Sequence, residues 1–275
     1  MRVAYQGEPG AFSEAGAIDY FGPETTTVAQ DRFEGVFQAV NANQCEAGFI
    51  PIENSRAGSI HQNYDLLAEN HLYITGEYYL RVRHCLIALP GAKISGIQRV
   101  ISHPQALNQC RNSIKDFGIG DYEPVYDTAG AVKMVAEKQD PAVAAIASRR
   151  AAELYGMEIV AEGIEDDPSN YTRFLVIERQ PVIVYQDAKT TLVFSLKNQA
   201  GALFKALSTF ALRDIDLTKI ESRPLIGKPW DYLFYIDLAG STEDLKVAHA
   251  LENLEEYATM LRVLGSYLRH KLFAP

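Results

Sequence analysis

Length, composition and charge together limit the class of protein. The chain has 275 residues, the length of one large domain or two ordinary ones. Apolar residues make up 47% of it, so we expect a hydrophobic core rather than disorder. The formal net charge of −9 argues against nucleic-acid binding and against docking on an anionic membrane. An anionic small substrate is still compatible with it, because a few arginines set the field of a cleft.

The cysteines and the N-terminus indicate a cellular compartment. Cys45, Cys85 and Cys110 are odd in number and widely spaced, which is typical of reduced thiols rather than of a disulfide framework. The run Met1–Gln6 leads directly into folded-looking sequence without the features of a secretory signal. No apolar run approaches the roughly 20 residues that span a bilayer. We therefore expect a cytoplasmic protein.

Taken in chain order, β-rich runs alternate with amphipathic helical runs as far as residue 178. Strands are predicted at 2–6, 26–29, 47–52, 73–80, 84–89, 99–102, 123–126, 143–146 and 172–178. Helices are predicted at 13–20, 33–40, 61–68, 104–117 and 148–155 and from residue 128 onward, with Asp31 and Asp127 as caps. This alternation predicts an α/β sheet architecture, in which ligands bind where strands end.

The order of elements changes after the polar segment Gln180–Lys189, which indicates a linker. Strands are then predicted at 191–196, 216–223, 232–238 and 260–265, helices at 200–212 and 244–253, and a turn at 224–229. The order βαββαβ is that of a ferredoxin-like unit, whose sheet edges commonly pair with another copy. We therefore predict two domains, 1–185 and 186–275, the second for oligomerisation or ligand sensing.

Two strand ends carry the first candidate site residues. Within Pro51–Ile60, the polar residues Glu53, Asn54 and Ser55 directly follow an apolar strand, although an ordinary loop with capping side chains explains them equally well. Within Asn170–Phe174, strand alternation places Thr172 and Phe174 on one face and Arg173 on the other.

Two strand-to-helix junctions add further candidates, because the free N–H groups of a helix N-terminus bind anions. The first contains Ser102, His103, Gln105 and Gln109, and the two glutamines share a helix face. For His103 a packing or capping role is the simpler interpretation. The second junction places Thr128 after Asp127, where a plain helix cap is at least as good an explanation.

Several common enzyme motifs are missing from the sequence. There is no paired His or Cys spacing typical of a metal site, no phosphate-binding glycine loop and no Gly-x-Ser-x-Gly elbow. We therefore expect a reaction on a small molecule that needs neither metal nor cofactor.

A series of runs along the chain resembles one family. Gly7–Glu14, Pro51–Ile60, Ser102–Cys110, Asp127–Ala131 and Asn170–Phe174 are together similar to the prephenate dehydratase family, and His84–Gly91 resembles its plant members, the arogenate dehydratases. Gly201–Phe204 and Glu221–Pro224 resemble the two runs that line the phenylalanine site of the ACT regulatory domain. A non-catalytic amino-acid or solute sensor is the competing hypothesis.

The resemblance implies a fold and a reaction. The fold is a two-lobed, periplasmic-binding-protein-like α/β catalytic domain followed by a βαββαβ ferredoxin-like ACT domain. The reaction removes carbon dioxide and the ring hydroxyl from prephenate to give phenylpyruvate, or from arogenate to give phenylalanine, without a cofactor. Phenylalanine is the implied effector and a homodimer or homotetramer the implied assembly, while the choice between the two substrates is open.

The resemblance also implies residue roles. Thr172 meets the leaving hydroxyl, Asn54 and Gln109 orient the substrate, and Glu53 is the alternative proton donor if burial raises its pKa. The implied substrate-binding residues are Ser55, Ser102, His103, Gln105, Thr128, Arg173 and Phe174. The implied effector-binding residues are Gly201, Ala202, Leu203, Phe204, Glu221, Ser222, Arg223 and Pro224.

Overall fold

The computed structural model describes residues 1–225, 227–228 and 230–271, so Ile226 and Pro229 of the predicted turn lie outside the described residues. The chain divides into two compact units. Unit 1 comprises Met1–Ile60 and Tyr79–Phe174, and unit 2 comprises His61–Tyr78 and Leu175–Pro275. Among the described residues, no helix combines the length and apolarity that crossing a bilayer requires.

The elements as far as the last strand of the first region follow the predicted alternation. They are β1 (Arg2–Gln6), α1 (Phe12–Phe21), β2 (Thr26–Gln30), α2 (Phe33–Asn41), β3 (Ala47–Asn54), β4 (Gly58–Ser59), α3 (His61–Glu69), β5 (Tyr73–Arg81), β6 (Cys85–Ala88), β7 (Arg99–Ser102), α4 (Pro104–Gln109), α5 (Arg111–Asp116), β8 (Asp121–Pro124), α6 (Thr128–Lys138), β9 (Val143–Ala147), α7 (Arg149–Tyr155), β10 (Glu158–Glu162) and β11 (Tyr171–Glu178).

The remaining elements form the predicted βαββαβ order. They are β12 (Ala188–Leu196), α8 (Ala202–Ala211), β13 (Leu217–Pro224), β14 (Tyr232–Ala239), α9 (Leu245–Tyr257) and β15 (Ala258–Leu268). The predicted fold class, an α/β region followed by a ferredoxin-like domain, is confirmed.

The first sheet has the strand order β2-β1-β3-β11-β5, with β4 paired to β3. β1 runs parallel to both β2 and β3, so α1 and α2 are the crossover connections. Every residue of β3 from Ala47 to Ile52 is buried, which explains its continuous apolar run. This burial leaves the polar residues only at the carboxyl end of the strand.

The second sheet has the order β10-β6-β9-β7-β8. Alternate residues of β6 serve separate cores: Cys85 and Ile87 pack with the residues under α6 and α7, and Leu86 and Ala88 pack with the residues under α4 and α5. β6 is therefore covered on both faces, and the residues just before it are buried as well.

The helix predicted at 104–117 is broken into α4 and α5, and Asp166 explains the break. The Gln109 carbonyl accepts a hydrogen bond from the Asp166 N–H at 2.7 Å instead of continuing the helix ladder. The Asp166 carboxylate in turn accepts from the Asn112 N–H at 3.1 Å, at the start of α5. A residue more than fifty positions away in sequence therefore ends α4, and the local pattern holds no sign of it.

One other local prediction is wrong, and one strand was not predicted. Asp31 does not cap α2, because Arg32 is the N-cap and makes no side-chain cap bond. β10 was not predicted, since its ends are charged and it lies at the edge of the second sheet. Asp127, by contrast, caps α6 as predicted, and Gly156 ends α7 in the left-handed conformation.

In unit 2, a four-stranded antiparallel sheet of order β13-β14-β12-β15 is covered on one face by α8 and α9. Its core includes Phe194 from β12, Phe210 from α8 and Leu254 from α9. β13 is an edge strand, and its residues are alternately half-buried and exposed.

Unit 2 also contains α3 and the first part of β5, which several contacts fasten to the sheet. Lys189 on β12 lies 2.7 Å from the carboxylate of Glu77 on β5, and the two residues are only 3% and 2% exposed. The Arg262 guanidinium donates to the Leu72 carbonyl at 2.9 Å. A Cβ atom at Gly265 would lie 2.0 Å from the Ile74 carbonyl oxygen, so only glycine permits this approach. The domain boundary at 185/186 stays a prediction.

We predict that Lys189→Met destabilises the protein by about 3–5 kcal/mol, because it leaves the Glu77 carboxylate buried without its cation. Chemical denaturation followed by circular dichroism measures this loss. The matched control is the double variant Lys189→Met/Glu77→Leu, in which neither member of the pair is left buried without the other, and which should recover most of the stability. Equal losses in the two variants would contradict the prediction.

Candidate active site

The ends of β3 and β11 are joined by reciprocal hydrogen bonds. The Ser55 N–H donates to the Tyr171 carbonyl at 2.8 Å, and the Tyr171 N–H donates to the Ser55 hydroxyl oxygen at 3.0 Å. The Ser55 hydroxyl then donates to the Ser169 carbonyl at 2.9 Å. Ser55 therefore holds the two strand ends together, and its hydroxyl is already used for this purpose.

Asn54 is oriented by the backbone that follows it. Its Oδ1 accepts from the N–H groups of Arg56 and Ala57 at 3.1 and 2.9 Å, which closes an Asx-type turn rather than capping a helix. Because backbone N–H groups only donate, Oδ1 and Nδ2 cannot be exchanged. Nδ2 therefore points the other way and donates to Asn170 Oδ1 at 2.9 Å and to Thr172 Oγ1 at 3.0 Å.

The orientation of Asn54 also fixes the orientations of the Asn170 and Gln109 amides. Asn170 Oδ1 accepts from Asn54, so its Nδ2 is the group that donates to Gln109 Oε1 at 3.1 Å. The same Gln109 oxygen lies 2.9 Å from His84 Nε2. We call these five residues, Asn54, His84, Gln109, Asn170 and Thr172, the amide network. Its amides and imidazole are all less than 9% exposed, so water competes little with the hydrogen bonds between them.

The amide network leaves two donors without an acceptor among the described residues. Thr172 Oγ1 receives the Asn54 N–H, so its own hydroxyl proton points elsewhere. Gln109 uses Oε1 for both network bonds, and its Nε2 group makes no hydrogen bond within the described part of the chain. An O–H and an N–H₂ donor are thus held by one rigid group, which is an arrangement suited to an oxygen-rich ligand.

The other two predicted residues of the Asn170–Phe174 run point into the protein. Arg173 is 5% exposed, and its guanidinium carbon lies 6.0 Å from the centroid of the Tyr79 ring. Phe174 is buried and stacks on Phe49 at 4.6 Å between centroids. Of this run, only Asn170 and Thr172 belong to the amide network.

Glu53 lies on the strand position next to Asn54 and pairs with Ser59 across β3 and β4. It is half-buried. Because neighbouring strand residues point to opposite faces, we expect its carboxyl group on the side away from the Asn54 amide.

The residues predicted at the start of α4 serve local structure. The Ser102 hydroxyl donates to the Ile146 carbonyl at 2.6 Å, and His103 Nδ1 accepts from the Gln105 N–H at 3.2 Å. Gln105 is exposed while Gln109 is buried, so only Gln109 joins the amide network. The Ser102 and His103 side chains thus already have partners within a strand and a helix cap.

The start of α6 is occupied by its own cap. Asp127 Oδ1 accepts from the Gly130 N–H at 2.9 Å, and burial raises the pKa of its carboxyl although this bond opposes the shift. Thr128 follows it at the first helical position and is half-buried. The Asp127 carboxylate therefore stands where an anionic ligand of this helix would bind.

The predicted effector residues lie in unit 2 at two places. Gly201 has φ 77° and precedes α8, a backbone conformation that favours glycine. Ala202 and Leu203 line a cavity of about 120 Å³ together with Tyr232, whereas Phe204 is 76% exposed.

The second run of predicted effector residues lies on β13, where its side chains point alternately to the two faces of the strand. The Arg223 guanidinium binds the Asp65 carboxylate of α3 through two hydrogen bonds of 2.7 and 3.2 Å. Glu221 lies 3.3 Å from His61, also on α3. Ser222 and Pro224 are exposed, and Pro224 is opposite Tyr232 in the ladder. The charged members of the run therefore hold α3.

Two family models match this chain. A family model described as prephenate dehydratase matches residues 3–182, and an ACT-domain model matches residues 190–256. The chain is 49% identical to the arogenate dehydratase/prephenate dehydratase 2 of Arabidopsis thaliana, described as chloroplastic, over 97% of this chain and 72% of that relative. The chain therefore belongs to the prephenate dehydratase family and ends in an ACT domain.

Two solved structures share the whole fold. The prephenate dehydratase of Arthrobacter aurescens in complex with L-Phe has a TM-score of 0.90 and 32% identity, covering 98% of this chain and 90% of that one. GqqA, described as a novel type of quorum quenching acylase, has a TM-score of 0.92 and 35% identity, covering 98% of both chains. The family resemblance predicted from ordered motifs is thus confirmed.

The Gly7–Glu14 run has a structural role that the sequence does not reveal. Glu14 is 4% exposed and accepts from the Gly10 N–H at 2.6 Å, from Thr27 at 2.8 Å and from Arg150 at 3.0 Å. Burial alone would raise the pKa of its carboxyl, but these hydrogen bonds and the charge of Arg150 hold it below the ordinary value.

We predict that this site makes stability fall at acidic pH. A carboxyl with a lowered pKa stabilises the fold above its ordinary value of 4.5, and this contribution is lost as the pH drops through the folded value. Glu14→Gln should therefore cost about 1–3 kcal/mol at pH 7 and progressively less below pH 4.5. Urea denaturation of both proteins across this range measures the difference. A cost that is independent of pH would contradict the prediction.

Proposed function

We propose that this protein converts prephenate to phenylpyruvate by decarboxylation and dehydration, under feedback control by phenylalanine. As a member of the prephenate dehydratase family it is a carbon–oxygen lyase. The observation that carries the proposed mechanism is the Thr172 hydroxyl, whose oxygen is held by Asn54 while its proton is left to donate.

The substrate supplies the driving force. When the bond to the ring carboxylate breaks, its electron pair enters the ring, the ring hydroxyl leaves, and the ring becomes aromatic. Carbon dioxide and water are the other products, with one proton taken up by the departing hydroxide. Hydroxide is a poor leaving group, so the protein has to present a hydrogen-bond donor or a proton to it.

We assign the donor role to Thr172. A threonine hydroxyl is a very weak acid, so it donates a hydrogen bond or relays a proton rather than ionising. The Asn54 N–H bond to Thr172 Oγ1 polarises the hydroxyl and strengthens it as a donor. Gln109 Nε2 is the second donor and holds the substrate. Glu53 is the alternative acid. Its position is less favourable, because it neighbours Asn54 on the strand and its side chain is expected on the opposite face.

Replacing Thr172 by valine should lower kcat on prephenate by about 100- to 1,000-fold, as expected for the loss of one preorganised donor. The assay follows the absorbance of phenylpyruvate. Valine keeps the shape of threonine, and Thr172→Ser, which keeps the hydroxyl, is the matched control and should retain most of the activity. Full turnover by Thr172→Val, combined with a large loss in Glu53→Gln, would transfer the role to Glu53.

Arogenate is the alternative substrate, and it differs from prephenate in bearing an ammonium group in place of the keto group. The Arabidopsis thaliana relative is described by both activities. Measuring kcat/KM for prephenate and arogenate side by side tests the proposal. A higher kcat/KM for prephenate supports it, whereas a higher kcat/KM for arogenate would show that arogenate is the substrate.

The likeness to GqqA makes an acylase the second candidate. Acyl transfer needs a nucleophile or water activated by a base within hydrogen-bond reach. Within the described residues, the side-chain hydrogen bond to Thr172 Oγ1 comes from the Asn54 amide, which has no basic lone pair. The site therefore favours the dehydratase, and hydrolysis of an N-acyl substrate without turnover of prephenate would instead favour the acylase.

For the effector, we propose that L-phenylalanine binds beside Ala202 and Leu203. The support is the ACT-domain match and the cavity that these residues line, and the Arthrobacter aurescens structure is described as a complex with L-Phe. The remaining effector residues predicted from the sequence belong to the same proposal. Glu221 and Arg223 bind α3 and would support the site rather than contact the effector.

L-phenylalanine at 100 times its Kd should stabilise the protein by about 2.7 kcal/mol, measured as a rise in Tm. Leu203→Gln, which places an amide in the apolar lining, should weaken binding at least about tenfold in calorimetry. Lys205→Gln, an exposed position on the same helix, is the matched control and should bind normally. Normal binding to Leu203→Gln would move the effector site elsewhere.

We also propose a homodimer or homotetramer in the cytoplasm. The exposed edge strand β13 supports self-association, and light scattering on the eluted protein would measure its mass. The burial of Cys45, Cys85 and Cys110 and their wide spacing in the sequence support a reducing compartment. Cell fractionation tests the location, since the Arabidopsis thaliana relative is described as chloroplastic.

A further inference from the structure

His84 lies at the inner end of the amide network, directly before β6. It is 2% exposed, and its ring packs edge-on against Phe12 with 5.3 Å between centroids. Its backbone N–H donates to Glu165 Oε2 at 2.9 Å, and its Nε2 lies 2.9 Å from Gln109 Oε1. The reaction as proposed above gives this histidine no role.

The direction of the amide network assigns the tautomer of His84. The backbone N–H groups of Arg56 and Ala57 orient Asn54, Asn54 orients Asn170, and Asn170 makes Gln109 Oε1 an acceptor. An oxygen that accepts one hydrogen bond can only accept another, so His84 Nε2 must carry a proton. The series of directions starts at two backbone donors and is independent of the histidine.

The opposite ring nitrogen fixes the charge of His84. Nδ1 is buried and has no hydrogen-bond partner among the described residues. A second proton there would be a buried donor without an acceptor, which is costly. Burial lowers the pKa of His84, although the Gln109 bond and the Glu165 charge act in the opposite direction. The facing charged groups are Glu165 and Arg81, which lie 3.7 Å apart and partly offset each other.

We propose that His84 is a positioning residue, which acts as a neutral Nε2–H imidazole that holds Gln109 with its Nε2 amide turned to the substrate. A 180° rotation of the Gln109 amide would set its N–H₂ group against two donors, Asn170 Nδ2 and His84 Nε2–H. Without His84 only the conflict with Asn170 is left, so the rotated amide costs less and is populated more often. This inference rests on the proposed role of Gln109.

The first experiment measures the tautomer in the unaltered protein. Long-range proton–nitrogen NMR on protein labelled with ¹⁵N-histidine distinguishes the two neutral forms and the cation. The chain has six histidines, and the spectrum of His84→Gln identifies the signals of His84 by their loss. The expected result at pH 7.5 is a neutral ring protonated on Nε2. A ring protonated on Nδ1, or on both nitrogens, overturns the inference.

The second experiment tests the route through Gln109. His84→Phe keeps the ring shape but loses the donor, and it should lower kcat/KM on prephenate by about tenfold, the usual effect of one lost hydrogen bond. His84→Gln supplies an N–H at a similar reach and should restore most of this loss. His71→Phe, at an exposed histidine, is the matched control and should leave the activity unchanged.

A double-variant cycle separates positioning from a general structural effect. In a Gln109→Ala background, His84→Phe should cause no further loss, because the amide that it positions is gone. An equal additional loss there overturns the inference. The two failures are distinguishable: full turnover by Thr172→Val removes the proposed mechanism and leaves the tautomer intact. An Nδ1–H tautomer removes this inference and leaves the role of Thr172 intact.

Discussion

The proposed site depends on one interaction. The side-chain oxygen of Asn54 accepts hydrogen bonds from two backbone N–H groups. Side-chain amides look alike from either end, and a network made only of amides has two equally good directions. The N–H groups of Arg56 and Ala57 remove this ambiguity, since a backbone N–H never accepts. Every other hydrogen bond of the amide network, whose ends are Thr172 and His84, then has a fixed donor and a fixed acceptor.

The fold brings the members of this network together by interrupting regular structure. β3 ends at Asn54, where the chain turns. The Asn54 amide therefore comes after the buried run Ala47–Ile52 and is not part of the apolar face of the strand. α4 ends at Gln109 because Asp166 takes over its carbonyl and caps the next helix. Polar groups would be costly in the middle of these elements, and at their ends they find partners in one another.

Unit 2 shows how the same chain places charged residues with different consequences. The Lys189–Glu77 pair is buried, so each charge depends on the other rather than on water. The Arg223–Asp65 and Glu221–His61 pairs are partly exposed and join β13 to α3. α3 begins at His61, directly after the Pro51–Ile60 run that contains Asn54. The β13 run, which the sequence predicted as an effector site, therefore contacts the helix that follows the Pro51–Ile60 run in the sequence.

The sequence by itself determined the alternation of strands and helices, the ferredoxin-like order at the end and the family. Hydrophobic periodicity, caps such as Asp127 and the order of motifs are properties of neighbouring residues, so they can be read without coordinates. The resemblance to the family then selected Asn54, Gln109 and Thr172. It placed Ser102, His103 and Gln105 beside them, whereas the structure uses Ser102 and His103 for local bonds and leaves Gln105 exposed.

Only the tertiary structure decided which of these residues touch. His84, Gln109, Asn170 and Asn54 are far apart along the chain, and their hydrogen bonds depend on angles and distances that no local pattern encodes. The break of the helix at Gln109 likewise comes from Asp166, a residue outside its sequence neighbourhood. Local interactions chose the elements, and contacts distant in sequence chose the direction of each polar group, because a buried donor or acceptor has to find its partner wherever the fold provides one.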